Sequence, residues 1–249
     1  MEPPVFYAPP ESFEGDDVSL SADESRHATR VMRLTLGAQV IVIDGLGSAW
    51  RGTISRVGPR KPVEVRLHAE VRNFGEPAVI LTLAAGLSSG SKFDTVVEKG
   101  TELGVKRFVP LLTEKSMVKV EDPRRGRSRR TRLEKVALAA IKQCRRSYRP
   151  EVTVPTKFSD YLSETETDSI NLIFHPSASR ETLNDILAGQ KPRRVSLLLG
   201  PEAGFSEDEL EAAVKAGYTL VSLGERILRT ENAAPTATAL VMNLLGELS

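Results

Sequence analysis

The sequence is short of several things that carry chemistry in other proteins. Among its 249 residues there is one cysteine, Cys144, so the chain can form neither a disulfide framework nor a cysteine-based zinc site. The three histidines, His27, His68 and His175, lie far apart, which argues against a histidine-rich metal cluster, and no metal is expected. Aromatic residues make up 5%, too few for extended base stacking along a single strand. Long hydrophobic runs are missing too. The stretches Ala78–Leu87 and Ala233–Leu245 are short or broken by Thr, Asn and Pro, and neither can span a bilayer. The opening Met1-Glu2-Pro3-Pro4 has no basic start and no apolar run, so it is not read as a secretory signal. A soluble cytoplasmic protein without a membrane partner is expected. An excess of one charge is also lacking: 34 Lys+Arg stand against 33 Asp+Glu, a net of +1.

What is present is ordinary globular composition, 40% hydrophobic and 27% charged. The length suits one large domain or two smaller ones. The charge, however, is unevenly placed. Between Lys119 and Arg149 stand twelve basic residues and three acids, Glu121, Asp122 and Glu134, so this stretch carries +9 and the remainder −8. A polyanion responds to local potential and not to the total, so the cluster can hold phosphates. Candidate nucleic-acid contacts are Arg145 and Arg146 in the basic stretch, Arg26, Arg30 and Arg33 at helical spacing near the start, and Lys92. The competing reading for any one of them is a solvated charged face.

The first third reads as β structure. Gln39–Asp44 and Ala49–Val57 are separated by the turn signal Asp44-Gly45-Leu46-Gly47, and Pro62–Val71 alternates as a half-exposed antiparallel strand. One short helix is expected over Asp23–Met32. Short strands with tight turns suggest a small barrel, and the breaker-rich Arg72–Pro77 segment marks a boundary, giving domains 1–74 and 75–249. The rest alternates strand and helix. Strands are predicted over Ala78–Ala85, Arg107–Leu112, Ile170–His175, Arg194–Leu199 and Thr219–Leu223. Helices are predicted over Lys92–Leu103, Arg127–Arg146, Arg180–Ala188, Glu207–Ala216 and Ala234–Leu245. Such alternation implies an α/β parallel sheet covered on both faces.

Ligands of open parallel sheets bind outside the carboxyl ends of the strands, and three loops there stand out. Leu199–Ser206 carries Gly200, Glu202 and Gly204 ahead of a helix opened by a capping box, Ser206 with Glu209. Leu223–Ala233 sets Gly224, Glu225, Arg226, Arg229 and Glu231 around the apolar pair Ile227-Leu228. Phe174-His175-Pro176 ends the third strand, where His175 reads more simply as a strand-end histidine with one backbone hydrogen bond. A plain strand–turn–helix connection is the other reading of the first loop. Gly86–Lys92 looks like a phosphate loop, but Ser91 stands where the Walker pattern requires glycine. No G-x-G-x-x-G follows a strand, and no G-x-S-x-G elbow occurs.

Leu198–Ser206 together with Leu223–Glu231 resembles the signature of the RsmE-type enzymes, SPOUT-class methyltransferases acting on N3 of a uridine in small-subunit (16S) ribosomal RNA. His27–Leu34, Lys92-Phe93-Asp94, Glu98–Val105 and Gln143–Arg146 resemble further motifs of the family, so the likeness extends over the whole chain. It implies a PUA-like β-barrel followed by a SPOUT domain with a trefoil knot, and a homodimer acting on ribosomal RNA or the assembled small subunit. It also implies S-adenosylmethionine as methyl donor, held by Phe174, His175, Leu199, Gly200, Glu202, Leu223, Gly224, Ile227, Leu228 and Arg229. For the chemistry it points to Arg229, as a cation stabilising the uridine anion, ahead of Glu231 as a general base, since Glu231 could simply pair with an arginine. The chain departs from the family at Ala203, where a second glycine is usual, and at Asn232 and Pro235. Alanine requires an αR or β backbone at position 203, and Pro235 suits a helix that starts nearby. Two other readings remain at this point: a SPOUT methyltransferase for another RNA such as tRNA, and a non-enzymatic RNA-binding module.

Overall fold

A computed structural model describes every residue except 1, 59–60, 89, 117–121, 177, 179–182 and 249. Lys119 and Glu121 of the basic stretch, and the first three residues of the helix expected at 180–188, lie outside the described residues. The chain packs as two compact units, one holding residues 1–76 and 141–149, the other 77–140 and 150–249.

The first unit is a curled sheet. Its strands are β1 (Val5–Tyr7), β2 (Phe13–Glu14), β3 (Asp17–Ser19), β4 (Gln39–Ile43), β5 (Ser48–Arg56) and β6 (Glu64–Arg72), in the order β1-β4-β5-β6-β3-β2. All pairs are antiparallel except β1 with β4. The inward residues Phe6, Val18, Val40, Val42, Ile54 and Val65 form one core and are at most 1% exposed. The helix expected over 23–32 is broken in two. Ser21 accepts from the Glu24 N–H at 3.2 Å and caps α1 (Ala22–Arg26), and a π turn then runs from His27 to Val31, closed by Met32 N–H to His27 carbonyl at 3.0 Å. An inserted residue of this kind re-aims the side chains beyond it.

The second unit is a parallel sheet of β7 (Ile80–Gly86), β8 (Arg107–Leu112), β9 (Glu151–Val152), β10 (Thr156–Lys157), β11 (Ile170–Phe174), β12 (Arg194–Leu199) and β13 (Thr219–Val221). The order is β10-β8-β7-β12-β11-β13, with β9 also on β8. Alternate residues feed opposite faces. Leu81, Leu83, Leu172, Phe174, Leu197 and Leu199 pack on one side, while Ala84, Val109, Ile173 and Leu198 pack on the other. Both faces are therefore covered, as the near-continuous apolar runs require.

Its helices are α2 (Lys92–Glu102), α3 (Pro123–Cys144), α4 (Phe158–Ser163), α5 (Leu183–Leu187), α6 (Glu207–Lys215) and α7 (Thr230–Leu244). The last residues of α3, from Ile141 on, count with the first unit. That helix begins four residues earlier than the sequence suggested, because Pro123 suits a first helical position and the Asp122 carboxylate accepts the Arg124 N–H at 2.8 Å. Helix α7 also begins early, at Thr230 and not Ala234, so Pro235 stands in its second turn. The expected start at Ala234, one residue before Pro235, is thereby corrected: proline has no N–H to give, and the Glu231 carbonyl loses its usual helical donor. No described helix is long and apolar enough to cross a membrane.

Candidate active site

Strands β11, β12 and β13 end side by side, in registers that align Phe174 with both Leu199 and Val221. The three loops that follow enclose a cavity of about 350 Å³, together with the first turn of α7. Every residue named for donor binding lines it: Phe174, His175, Leu199, Gly200, Glu202, Leu223, Gly224, Ile227, Leu228 and Arg229. Pro201, Ala203, Gly204, Phe205, Arg226, Thr230 and Ala233 line it as well, although none was singled out as a binding residue. The signal that could have found them is their position, since they fill the same loops between the chosen residues.

The loop from β12 to α6 is folded tightly. Gly204 has φ +71, a left-handed backbone natural to glycine, whereas Ala203 is not among the positive-φ residues. The turn thus places its strained step one residue after Ala203, and the alanine fits without strain. Gly200 lies against this turn, and a Cβ there would sit 3.1 Å from Gly204 Cα. The expected capping box is present, with Glu209 N–H to Ser206 Oγ at 3.3 Å and Ser206 N–H to Glu209 Oε2 at 3.0 Å. The other oxygen of buried Glu209 accepts the Glu114 N–H at 2.8 Å, and Lys115 Nζ donates to the Phe205 carbonyl at 2.9 Å. These bonds hold the loop rigid from behind, which suits a preformed pocket.

Glu202 ion-pairs with Lys92 at 3.0 Å. Burial works to raise the Glu202 carboxyl, but the Lys92 hydrogen bond and charge outweigh it, with a backbone hydrogen bond, and hold it below the usual carboxylate range. His175 donates its backbone N–H to the Val221 carbonyl at 2.9 Å. Burial, and after it the Lys115 ammonium, pushes its imidazole below the ordinary value, so the ring is neutral at pH 7. The loop after β13 is open: Ile227 is 87% exposed and Arg229 is exposed at the N-cap of α7. Thr230 Oγ1 reaches back to the Gly200 carbonyl at 3.3 Å, joining the helix to the β12 loop.

Glu231 is not among the lining residues, and its Oε2 is buried without a hydrogen-bond partner. No ion pair to Glu231 occurs among the described residues.

The expected RNA contacts are scattered. Arg30 and Arg33 are exposed, the latter at φ +54 beyond the π turn. Arg26 is exposed but pairs with Asp23, and Arg145 pairs with Glu2 and lies 5.9 Å over the Phe74 ring. Arg146 requires a correction: its side chain is 3% exposed and bonded to Glu76, so it cannot present a guanidinium to phosphate. The basic stretch is also less open than its count suggests. Arg130 pairs with Glu134, Arg132 with Asp94 and Lys142 with Glu24, whereas Arg124, Arg125, Arg127, Lys135 and Arg149 are exposed. Among the described residues no cluster could hold a metal ion.

A parallel sheet with a loop-built cavity at the carboxyl ends of its strands is the layout of a small-molecule-binding enzyme domain. The RNA methyltransferase domain profile matches residues 76–242 and the RNA methyltransferase PUA domain profile matches 20–67, and the chain belongs to this family. A ribosomal RNA small subunit methyltransferase E from a Synechocystis strain is 29% identical, over 95% of this chain and 76% of the relative. A methyltransferase E structure from Neisseria gonorrhoeae, bound to S-adenosylmethionine, superposes with TM-score 0.87 at 29% identity, over 98% of each chain. A putative methyltransferase from Legionella pneumophila, also with that cofactor, gives 0.86 at 31% over 98% of each. The RsmE-type, SPOUT-class resemblance is therefore borne out, and with it the PUA-like unit and the α/β fold with its parallel sheet.

Proposed function

We propose that the chain transfers the methyl group of S-adenosylmethionine to N3 of a uridine in small-subunit ribosomal RNA, as a cytoplasmic homodimer. The observation that carries this is the convergence of the three strand-end loops on one cavity whose mouth bears Arg229. The residues fit the donor. The cavity volume of about 350 Å³ is that of a small-molecule site, with apolar walls from Phe174, Leu199, Leu223 and Leu228 and a few polar groups at the turns.

Bound there, the donor supplies a methyl group already activated on a positively charged sulfur. The protein is left to position, to exclude water and to manage one proton. The buried Leu199 and Phe174 close the inner end against water, and the rigid Gly200–Phe205 loop fixes one wall. The uridine N3–H is weakly acidic and must be lost for the nitrogen to attack. Arg229, exposed at the cavity mouth, stabilises the negative charge that develops on the base as that proton passes to solvent water at the mouth; the N3–methyl bond then forms as the methyl–sulfur bond breaks, leaving a neutral thioether. The exposed Arg30 and Arg33 of the barrel, with Arg124, Arg125 and Arg127 of α3, supply phosphate contacts.

Methyl transfer from labelled donor to small subunits and to free small-subunit ribosomal RNA, followed by nucleoside mapping, tests the reading. N3-methyluridine in the ribosomal RNA is the expected product, with tRNA unlabelled. Label on tRNA alone, or donor binding without any transfer, would overturn it.

A further inference from the structure

The turn that imitates a phosphate loop is not used by the donor cavity, yet it touches it. Strand β7 lies next to β12 in the sheet, and Gly86 at its end packs so close to Pro201 that a Cβ would sit 2.2 Å from the Pro201 nitrogen. Six residues on, Lys92 holds Glu202 of the cavity wall. Between them the chain passes Ser88, fully buried with its hydroxyl unpartnered, and Gly90 at φ +67. Ser91 is the N-cap of α2 but makes no side-chain cap; its carbonyl accepts the Asp94 and Thr95 N–H at 3.0 and 3.4 Å, so among the first amides of this eleven-residue helix those of Lys92 and Phe93 are left open.

Helix α3 brings two arginines to this turn. Arg132 donates to Asp94 Oδ1 at 2.8 Å and approaches the Gly90 carbonyl at 3.4 Å. Arg129, one turn earlier, has Nη1 buried with no partner. Burial and the positive charge of Arg132 both disfavour its charged form, and only Asp94 offsets them. Two guanidinium charges thus face one carboxylate. Arg129 is partly buried, its Nη1 lacks a hydrogen-bond partner, and one positive charge is left over around Asp94; the group that would balance it carries a single negative charge and several acceptor oxygens.

We propose that Ser88, the Gly90–Lys92 turn, Arg129 and Arg132 form a phosphodiester-binding site that holds an RNA backbone group beside the donor cavity. A phosphodiester matches the excess of one charge, accepts from the open amides of α2 and gives Arg129 its missing partner. Because the same turn abuts Pro201 and ties Glu202, the site sets the distance between the strand and the methyl donor. The inference rests on the RNA-methylating reading above.

Full-chain protein is titrated with small-subunit ribosomal RNA over a salt series, with donor binding measured alongside by calorimetry. Arg129→Gln is expected to weaken RNA binding roughly tenfold at low salt, the effect of one charged hydrogen bond, and to reduce the slope of log K against log salt by about 1. Arg129→Lys should restore most of the slope, and donor affinity should stay unchanged in both. Ser88→Ala should weaken binding without changing the slope. An Arg129→Gln protein with native melting, unaltered affinity and unaltered slope would overturn the site while leaving wild-type methylation, and so the function, standing. Wild-type protein that binds no ribosomal RNA would remove both. Inorganic phosphate is the second probe: if it stabilises the wild type but not Arg129→Gln while the RNA slope is the same in both, the site is one for free phosphate and the RNA assignment fails.

Discussion

Arg146 and Glu76 bond to each other at 2.8 Å with their side chains only 3% and 2% exposed. The second Glu76 oxygen accepts the Tyr148 N–H at 2.8 Å, so the carboxylate is fully engaged. Beside it Gly75, at φ +68, lies so close to the Arg145 carbonyl that a Cβ would be 2.3 Å away. These contacts clasp residues 141–149 to the first unit. Removing one partner of a buried pair leaves the other charge stranded, at about 3–5 kcal/mol. Arg146→Ala should therefore lower the denaturation midpoint of the first unit sharply. Arg146→Met combined with Glu76→Gln should lose much less, because no charge is then abandoned. Equal losses in the single and double variants, measured by urea unfolding, would contradict this.

Gly86→Ala offers a test of how the donor cavity is framed. The added methyl would lie within 2.8 Å of three Pro201 atoms, two of them backbone, so the β12 loop must shift. Donor affinity should fall by at least tenfold, since even small displacements of a positioning loop are felt strongly. The same substitution at Gly217, with φ +91 but nothing within 4 Å, strains its own turn and leaves the cavity alone. Calorimetric titration of donor into the two variants separates these outcomes.

Much of the sheet was legible because burial on both faces leaves an unmistakable run. Arg107–Leu112 and Arg194–Leu199 match the structure to the residue. Of the two- and three-residue strands only β13 was legible, inside the apolar run Thr219–Leu223; β1, β2, β3, β9 and β10 have no such run and exist only through their partners, as Val5–Tyr7 does by pairing with Ile41–Ile43. The cavity loops could be chosen because glycine, glutamate and arginine crowd the ends of apolar strands. Arg146 could not be separated from its exposed neighbours: nothing local distinguishes an arginine destined for a buried carboxylate seventy positions away. The early start of α7 was hidden by Pro235, which reads as a helix beginning when viewed without its surroundings.

His175 should make stability pH-dependent in one direction. Its folded pKa is depressed by burial and by Lys115, so the unfolded chain binds more protons. Stability then rises with pH wherever the unfolded state is the more protonated. The contribution is complete above about pH 6.5, the unfolded imidazole value, and is lost as pH falls below it. His175→Gln should flatten the melting temperature as pH falls below about 6.5. An unchanged pH profile in that variant would place the titration elsewhere.

The roles of Arg229 and Glu231 can be separated by pH. Arg229 is exposed at the cavity mouth, whereas Glu231 lies off the lining with Oε2 buried and unpartnered. If Arg229 stabilises the uridine anion, Arg229→Ala should slow transfer by about 10²–10³ at neutral pH, comparable to the loss of one anion-stabilising donor elsewhere. The defect should shrink as pH rises, because the weakly acidic N3–H then leaves without help. Arg229→Lys should recover part of the rate, since the charge is kept and the planar fork is not. Glu231→Gln removes no ion pair and should keep most of the activity with the wild-type pH profile. A general base would show the opposite pattern: Glu231→Gln would lose about 10²–10⁴ in rate, and only that variant would be rescued at high pH.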